Sequence, residues 1–144
     1  MTVLIIGGAY QGKLDYAKSL TGFDGTVADG GELDKEGFIN GSTCVNRLHL
    51  FIRHLLEEGY KPYEINELIL KNVSDRILIC DDICGGIVPS DKAENHWRET
   101  TGRLLCELTA KADIVVRMQC GIAQALKGEA LLAIAQVLKG EELC

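Results

Sequence analysis

The stretch TVLIIGGAYQGK, residues 2–13, decides the fold. Residues 2–6 are apolar or β-branched, a composition typical of a strand buried inside a parallel sheet. Gly7 and Gly8 end this run, and residues 15–20 then place apolar side chains at helical spacing before Gly22. Gly22 is a plausible helix stop. The order of strand, glycine turn and helix predicts an α/β fold with a mostly parallel central sheet.

The rest of the chain continues this alternation of apolar runs and amphipathic segments. Residues 76–80 and 113–118 predict two more buried strands. Helical spacing predicts a helix over residues 43–58, started by Ser42 or Thr43 and ended by Gly59. Further helices are predicted over residues 63–70, from Ser90 or Asp91 to about residue 112, and over residues 129–138. The glycine-rich residues 25–41 predict a loop, with a short strand at 26–28.

Composition limits the classes of function. The chain has 144 residues, 47% of them hydrophobic, and lacks repeats or linker-like segments, so we expect one domain over residues 1–144. A net charge of −6 without a basic cluster argues against nucleic-acid binding. No apolar run approaches the length of a membrane span. We therefore expect a cytoplasmic protein whose six cysteines are reduced.

The glycine turn is the strongest functional signal. Its two glycines, Gly7 and Gly12, have four residues between them and are followed by Lys13, as in a phosphate-binding loop (P-loop). Glycines let backbone N–H groups converge on phosphate oxygens, while the following helix and the lysine add positive charge. The predicted nucleotide-binding residues are Gly7, Gly8, Ala9, Tyr10, Gln11, Gly12, Lys13 and Leu14. The alternative is a tight strand-to-helix turn with a solvated lysine.

Acidic residues at a strand end form the second signal. Asp81 and Asp82 directly follow the predicted strand at 76–80, where carboxylates of parallel sheets lie near the ligand crevice. They are the candidate Mg²⁺ ligands, and with Lys13 they are the candidate catalytic residues. Leu14 stands where a P-loop normally offers Mg²⁺ a hydroxyl, so the metal would depend on these carboxylates, phosphates and water. The alternative is that they are loop acids that cap a turn.

The remaining polar residues give weaker signals. Arg98 and Arg103 are candidate clamps for an anionic substrate, although exposed helical arginines are usually solvated. His49 and His54 are five residues apart on a helix, so they point away from each other and do not form a ligand pair. Cys84, beside a glycine-rich loop, is the one cysteine that suggests a redox-sensing alternative.

Several motifs resemble those of the adenosylcobinamide kinase / adenosylcobinamide-phosphate guanylyltransferase family of cobalamin biosynthesis. These are the glycine turn with Lys13, the sequence GGIVP at residues 85–89, the sequence HWRE at residues 96–99, and Gly102 with Arg103. They are followed by Cys120-Gly121 and Lys127. The motifs occur in the family's order and span about residues 2–20 and 76–128.

The resemblance implies a P-loop NTPase-like three-layer fold with a late edge hairpin. It implies an ATP- or GTP-dependent kinase acting with Mg²⁺ on the hydroxyl of a corrinoid, followed by transfer of GMP from GTP. It also implies a homo-oligomer, trimeric in the family. The implied substrate-binding residues are Gly86, Val88, Pro89, Arg98 and Arg103.

Two departures shape the functional expectation. Leu14 replaces the P-loop hydroxyl, and residues 25–41 lack the histidine that accepts the guanylyl group in the family. Kinase chemistry alone therefore fits the sequence better than the complete bifunctional reaction. The other hypothesis is a catalytically degraded nucleotide-binding protein with a regulatory or partner-binding role.

Overall fold

The computed structural model of the protein describes residues 1–84 and 90–143, with side chains described over 1–84 and 90–136. The strands in this part of the chain are β1 (Val3–Gly7), β2 (Val27–Asp29), β3 (Cys44–Asn46), β4 (Ile77–Asp81), β5 (Ile114–Gln119) and β6 (Ile122–Lys127). The helices are α1 (Lys13–Lys18), α2 (Lys35–Ile39), α3 (Leu48–Glu57), α4 (Pro62–Leu70), α5 (Lys92–Lys111) and α6 (Glu129–Leu143).

The six strands form one sheet in the order β2-β3-β4-β1-β5-β6. The first five strands in this order are parallel to their neighbours, and β6 pairs antiparallel with β5 as an edge hairpin. The expected α/β fold with a mostly parallel sheet is therefore confirmed. The strands predicted at residues 2–6, 76–80 and 113–118 correspond to β1, β4 and β5.

Helices cover both faces of the sheet. Successive side chains of β1 alternate between the faces, so Leu4 packs with residues of α3, α4 and α5, whereas Val3 and Ile5 pack with residues of α1 and α6. Phe51 of α3 and Leu104 of α5 are completely buried on the first side. The result is a three-layer arrangement in which β1 and β4 are covered on both faces.

The single helix predicted over residues 43–58 is wrong at its start. Residues 44–46 form β3, and α3 begins only at Leu48. Val45 and Leu48 are three residues apart, so a strand residue extended the apparent helical pattern backward. The two elements are separated by Arg47, which adopts a left-handed conformation with φ 55°. Such a conformation is uncommon outside glycine and had no signature in the sequence.

The loop predicted over residues 25–41 contains regular structure. Its short strand is β2, one residue later than predicted, and a helix, α2, follows it. Asp34 caps α2 by accepting a hydrogen bond from the Gly37 N–H. Phe38 is buried against Phe51, with ring centroids 4.7 Å apart. One buried aromatic residue therefore fixes a five-residue helix whose own propensity is low, because Gly37 lies inside it.

The remaining helices lie close to their predicted positions. The structure has α4 and α5 within two residues of the predicted ranges, and α6 runs to Leu143 rather than ending at residue 138. Within the described residues, the helices are too short or too polar to cross a membrane.

Candidate functional site

The loop between β1 and α1 lies at the carboxyl edge of the sheet. The chain leaves β1 toward β2 and β3 on one side and crosses to β5 on the other side only after β4. In parallel α/β sheets, ligands bind in the crevice where the strand order reverses in this way. The position of the loop is therefore that of a ligand-binding loop.

Two glycines shape this loop for different reasons. A Cβ atom added to Gly7 would lie 2.5 Å from the carbonyl oxygen of Met118, so the neighbouring strand β5 leaves no room for a side chain. Gly12 precedes α1 with φ 87°, a left-handed conformation that favours glycine. The backbone therefore favours glycine at both positions, whatever ligand the loop binds.

The loop presents unused hydrogen-bond donors. Within the described parts of the chain, the backbone N–H groups of residues 9–12 donate to no protein group. Gln11 fixes the loop to the turn between β5 and β6: its side-chain oxygen accepts from the Cys120 N–H, and its carbonyl oxygen accepts from the Gly121 N–H at 3.2 Å. Tyr10, at the tip, is fully exposed. A supported loop with free donors beside a helix N-terminus can receive an anion.

Lys13 brings a buried positive charge to this loop. Its side chain is only 7% exposed, and its Nζ lies 2.8 Å from Oδ1 of Asp81. The same Nζ donates to the carbonyl oxygen of Gly8. Asp81 ends β4, which pairs directly with β1, so the sheet itself places this carboxylate beside the lysine. The structure thus brings together two of the residues proposed from sequence, Lys13 and Asp81.

His49 joins the same group of charged residues. It lies in the first turn of α3, is 5% exposed, and accepts a hydrogen bond at Nδ1 from the Asp81 N–H at 3.1 Å. Its Nε2 lies 3.6 Å from Oδ2 of Asp81. Burial lowers the pKa of His49; the Asp81 carboxylate opposes this shift, and Lys13 adds to it. His49 is therefore neutral at pH 7, with its proton on Nε2 because Nδ1 is an acceptor.

Sequence reasoning did not assign His49 to the site. The residue looked like the middle of a helix that started at residue 43, and only the strand β3 places it in the first turn, beside β4. His54 lies elsewhere on α3 and contacts Glu58 at 2.8 Å. The expectation that the two histidines form no ligand pair is consistent with these positions. Recognising the short strand β3 before α3 would have placed His49 in the first turn of the helix.

The turn between β3 and α3 forms the opposite wall of the cleft. Asn46, Arg47 and His49 face the loop between β1 and α1 across an open cleft of 450 Å³. The guanidinium of Arg47 pairs with Asp29 of β2, with Nε 2.9 Å from Oδ1. This hydrogen bond lowers the pKa of Asp29 and raises that of Arg47. Each cation at the cleft is therefore already paired with a carboxylate that an incoming anion would have to replace.

Of three other predicted residues, Leu14 lines the cleft, whereas Asp82 and Arg98 do not line it and have other partners. Leu14 is partly buried and packs against the core on the α1 side of the sheet. Asp82 is exposed, and its Oδ1 accepts from the Cys84 N–H at 3.2 Å. Arg98 of α5 donates to the carbonyl oxygens of Ile83 and Cys84 at 2.9 and 3.0 Å. Arg98 thus holds the end of the segment that leads from Asp81 into residues 85–89.

Arg103 lies in a different part of the molecule. It is 77% exposed, with its Nη2 3.5 Å from Glu99, and it lines an open groove of 580 Å³ between α4 and α5. The groove also contains Tyr63 and His96. The structure therefore does not bring Arg103 together with the cleft. The remaining predicted substrate residues, Gly86, Val88 and Pro89, lie outside the described residues.

Metal ligands are sparse in this arrangement. Among the residues whose positions are described, no group of three or more His, Cys, Asp or Glu side chains is placed to hold a metal ion. Asp81 and Asp82 are consecutive, but Asp81 is engaged by Lys13 and the side chain of Leu14 has no oxygen. These residues fit a Mg²⁺ ion held largely by phosphate and water better than an ion held by the protein alone.

Comparison with known proteins does not identify a family. No family model matches this chain, and no curated protein matches it.

Proposed function

We propose that this protein binds a nucleoside triphosphate, ATP or GTP, with its phosphates on the loop from Gly7 to Lys13. The observation that carries the proposal is the combination of free backbone N–H groups at residues 9–12 with the buried ammonium of Lys13. Backbone donors, a helix N-terminus and a lysine are the components with which P-loops bind polyphosphate. Asn46 and Arg47 form the wall beside the nucleotide.

We further propose that the bound nucleotide donates a phosphoryl group, as in adenosylcobinamide kinase, which the sequence resembles. Lys13 exchanges Asp81 for the phosphates and stabilises the charge on the transferred group together with the loop N–H groups. The released Asp81 carboxylate then accepts the proton of the acceptor hydroxyl. Mg²⁺, held by phosphates, water and Asp81 or Asp82, would neutralise phosphate charge.

The acceptor and the assembly follow from the resemblance. A corrinoid hydroxyl is the proposed acceptor, approached from residues 85–89, and Arg98 supports the proposal by holding Ile83 and Cys84, which directly precede them in the chain. A cytoplasmic homo-oligomer, trimeric as in the family, is the proposed assembly. The edge strand β6 supports self-association, because Ile122 is 71% and Leu126 is 51% exposed. The transfer of GMP is not part of the proposal, since residues 25–41 contain no histidine.

One observation favours a second candidate function. Leu14 packs against the core and offers no hydroxyl to a metal, and the described residues provide no other ligand cluster. A nucleotide-binding regulatory or partner-binding subunit without turnover would retain the anion-binding loop and tolerate this change. This candidate predicts nucleotide binding that Mg²⁺ strengthens little.

Calorimetric titration with ATP and with GTP, each with and without Mg²⁺, tests the binding proposal. We expect Lys13→Met to abolish measurable binding, because it removes the buried cation beside the loop. Lys18→Met is the matched control, since Lys18 is an exposed lysine of the same helix. Equal binding by both variants, or no binding by the wild type, would refute the site. A phosphoryl-transfer assay with adenosylcobinamide then separates the kinase from the subunit without turnover.

A further inference from the structure

His49 bonds to the main chain of Asp81 and lies close to its carboxylate. The backbone N–H of Asp81 donates to Nδ1 of His49 at 3.1 Å, and the carboxylate Oδ2 lies 3.6 Å from Nε2. One imidazole ring therefore faces both the main chain and the side chain of the same residue. The other carboxylate oxygen, Oδ1, is the one that contacts Lys13. The two oxygens of Asp81 thus have separate partners.

His49 is buried, and its main chain is bonded to a neighbouring helix. The indole Nε1–H of Trp97 donates to the carbonyl oxygen of His49 at 2.7 Å. This bond joins the first turn of α3 to α5 and fixes the main chain that carries the imidazole. Because Nδ1 accepts from the main chain, the Nε2 proton faces the carboxylate. At 3.6 Å the Nε2 contact is longer than a hydrogen bond and becomes one after a small shift of the carboxylate.

We propose that His49 is the positioning residue for Asp81, keeping its carboxylate oriented toward the phosphate-binding loop when Lys13 leaves it for a bound phosphate. In the empty cleft, Lys13 and His49 share the carboxylate. Once Lys13 turns to phosphate, the Nε2–H of His49 becomes the remaining donor to Asp81 and prevents the carboxylate from rotating away. The inference rests on the proposed function, because it assigns the purpose of this orientation to phosphoryl transfer.

Three substitutions separate the two contacts. His49→Leu removes both, His49→Asn retains an acceptor near the position of Nδ1, and His49→Gln retains a donor near the position of Nε2. We expect His49→Leu to lower kcat about 10- to 100-fold, the range for residues that orient a ligand, while the nucleotide KM changes much less. His49→Gln should recover more of kcat than His49→Asn, because the carboxylate contact is the one that matters.

The control substitution is His54→Leu, on the exposed side of the same helix, which should leave kcat unchanged. Fluorescence of Trp97, the single tryptophan, reports whether the region around His49 keeps its packing in each variant. Wild-type kcat in His49→Leu would overturn the proposal. A higher nucleotide KM with unchanged kcat would also overturn the proposal, because that result would assign His49 to nucleotide binding.

A measurement without nucleotide keeps this inference separate from the proposed function. Nitrogen-15 NMR of the His49 ring in the ligand-free protein should show a proton on Nε2 and an unprotonated Nδ1. The Asp81 amide signal should move in His49→Leu and move less in His49→Asn. A proton on Nδ1 would overturn the positioning role even if the protein proves to be a kinase. If the ligand-free protein gives the expected spectrum but does not bind nucleotide, the proposed function is refuted and the His49–Asp81 contact is established.

Discussion

The substitution Asp81→Asn removes the negative charge that occupies Lys13 in the empty cleft. Oδ1 lies 2.8 Å from Nζ, and a phosphate that recruits Lys13 must break this pair. Two unit charges 4 Å apart attract by about 4 kcal/mol at an effective dielectric constant near 20. The Asp81 side chain is 24% exposed, and we estimate that solvent screening reduces the net attraction to about 1–2 kcal/mol.

We therefore expect Asp81→Asn to bind ATP in the absence of Mg²⁺ about 5- to 30-fold more tightly than the wild type, the factor that corresponds to this energy. Calorimetry in EDTA measures the effect. Turnover should be lost, because the same change removes the proposed proton acceptor. Asp82→Asn is the matched control: it changes the same charge on an exposed residue whose carboxylate contacts Cys84 rather than Lys13. Weaker binding by Asp81→Asn, or equal gains in both variants, would refute the reasoning.

Three further substitutions test the fold that supports the site. Gly7→Ala should destabilise the protein by about 1–3 kcal/mol in urea denaturation, because its Cβ would lie 2.5 Å from the Met118 carbonyl oxygen; unchanged stability would contradict that contact. Phe38→Ala should cost about 3–5 kcal/mol through loss of its buried packing on Phe51, and a small change would mean that α2 is not fixed by this ring. Burial raises the pKa of Cys44 from 9.0 to about 11, so its thiol form contributes stability that is complete below pH 9.0 and lost as the pH rises through about 11. The stability of the wild type relative to Cys44→Val should therefore fall over this pH range, whereas parallel pH profiles would show that Cys44 is not buried as a thiol.

The central part of the sheet was readable from the sequence. The apolar runs that became β1 and β4 are buried on both faces, and β5 is buried apart from Arg117 and Gln119, so these runs stand out from the surrounding segments. The glycine turn could also be predicted, because its backbone restricts which residues it accepts. Gly7 has no room for a side chain and Gly12 has a positive φ, so the glycines themselves indicate the turn in the sequence.

The edge of the sheet was harder to predict because short elements depend on contacts made elsewhere. The three residues of β3 pair with β2, and two of them also pair with β4; no local sequence pattern indicates this pairing. The five-residue helix α2 depends on the burial of Phe38. The left-handed conformation of Arg47 follows from the joining of β3 to α3, and arginine has no preference for it.

The candidate site was predicted in part for the same reasons. Asp81 ends the central strand β4, Lys13 begins the helix that follows the glycine turn, and the structure places them 2.8 Å apart. His49 and Arg47 depend on β3, so their position in the cleft could not be inferred before that strand was known. Arg103 was proposed as a helical cation and again by the resemblance, and the structure places it in the groove between α4 and α5.

Chemical-shift mapping of the nitrogen-15-labelled protein with ATP and Mg²⁺ tests the central claim most directly, because it locates the nucleotide as well as detecting it. Our account predicts the largest shifts at the amides of residues 9–13, followed by His49 and Asp81, as Lys13 leaves the carboxylate for phosphate. It would be contradicted if these amides stayed unchanged at millimolar ATP, or if the shifts were confined to the groove between α4 and α5.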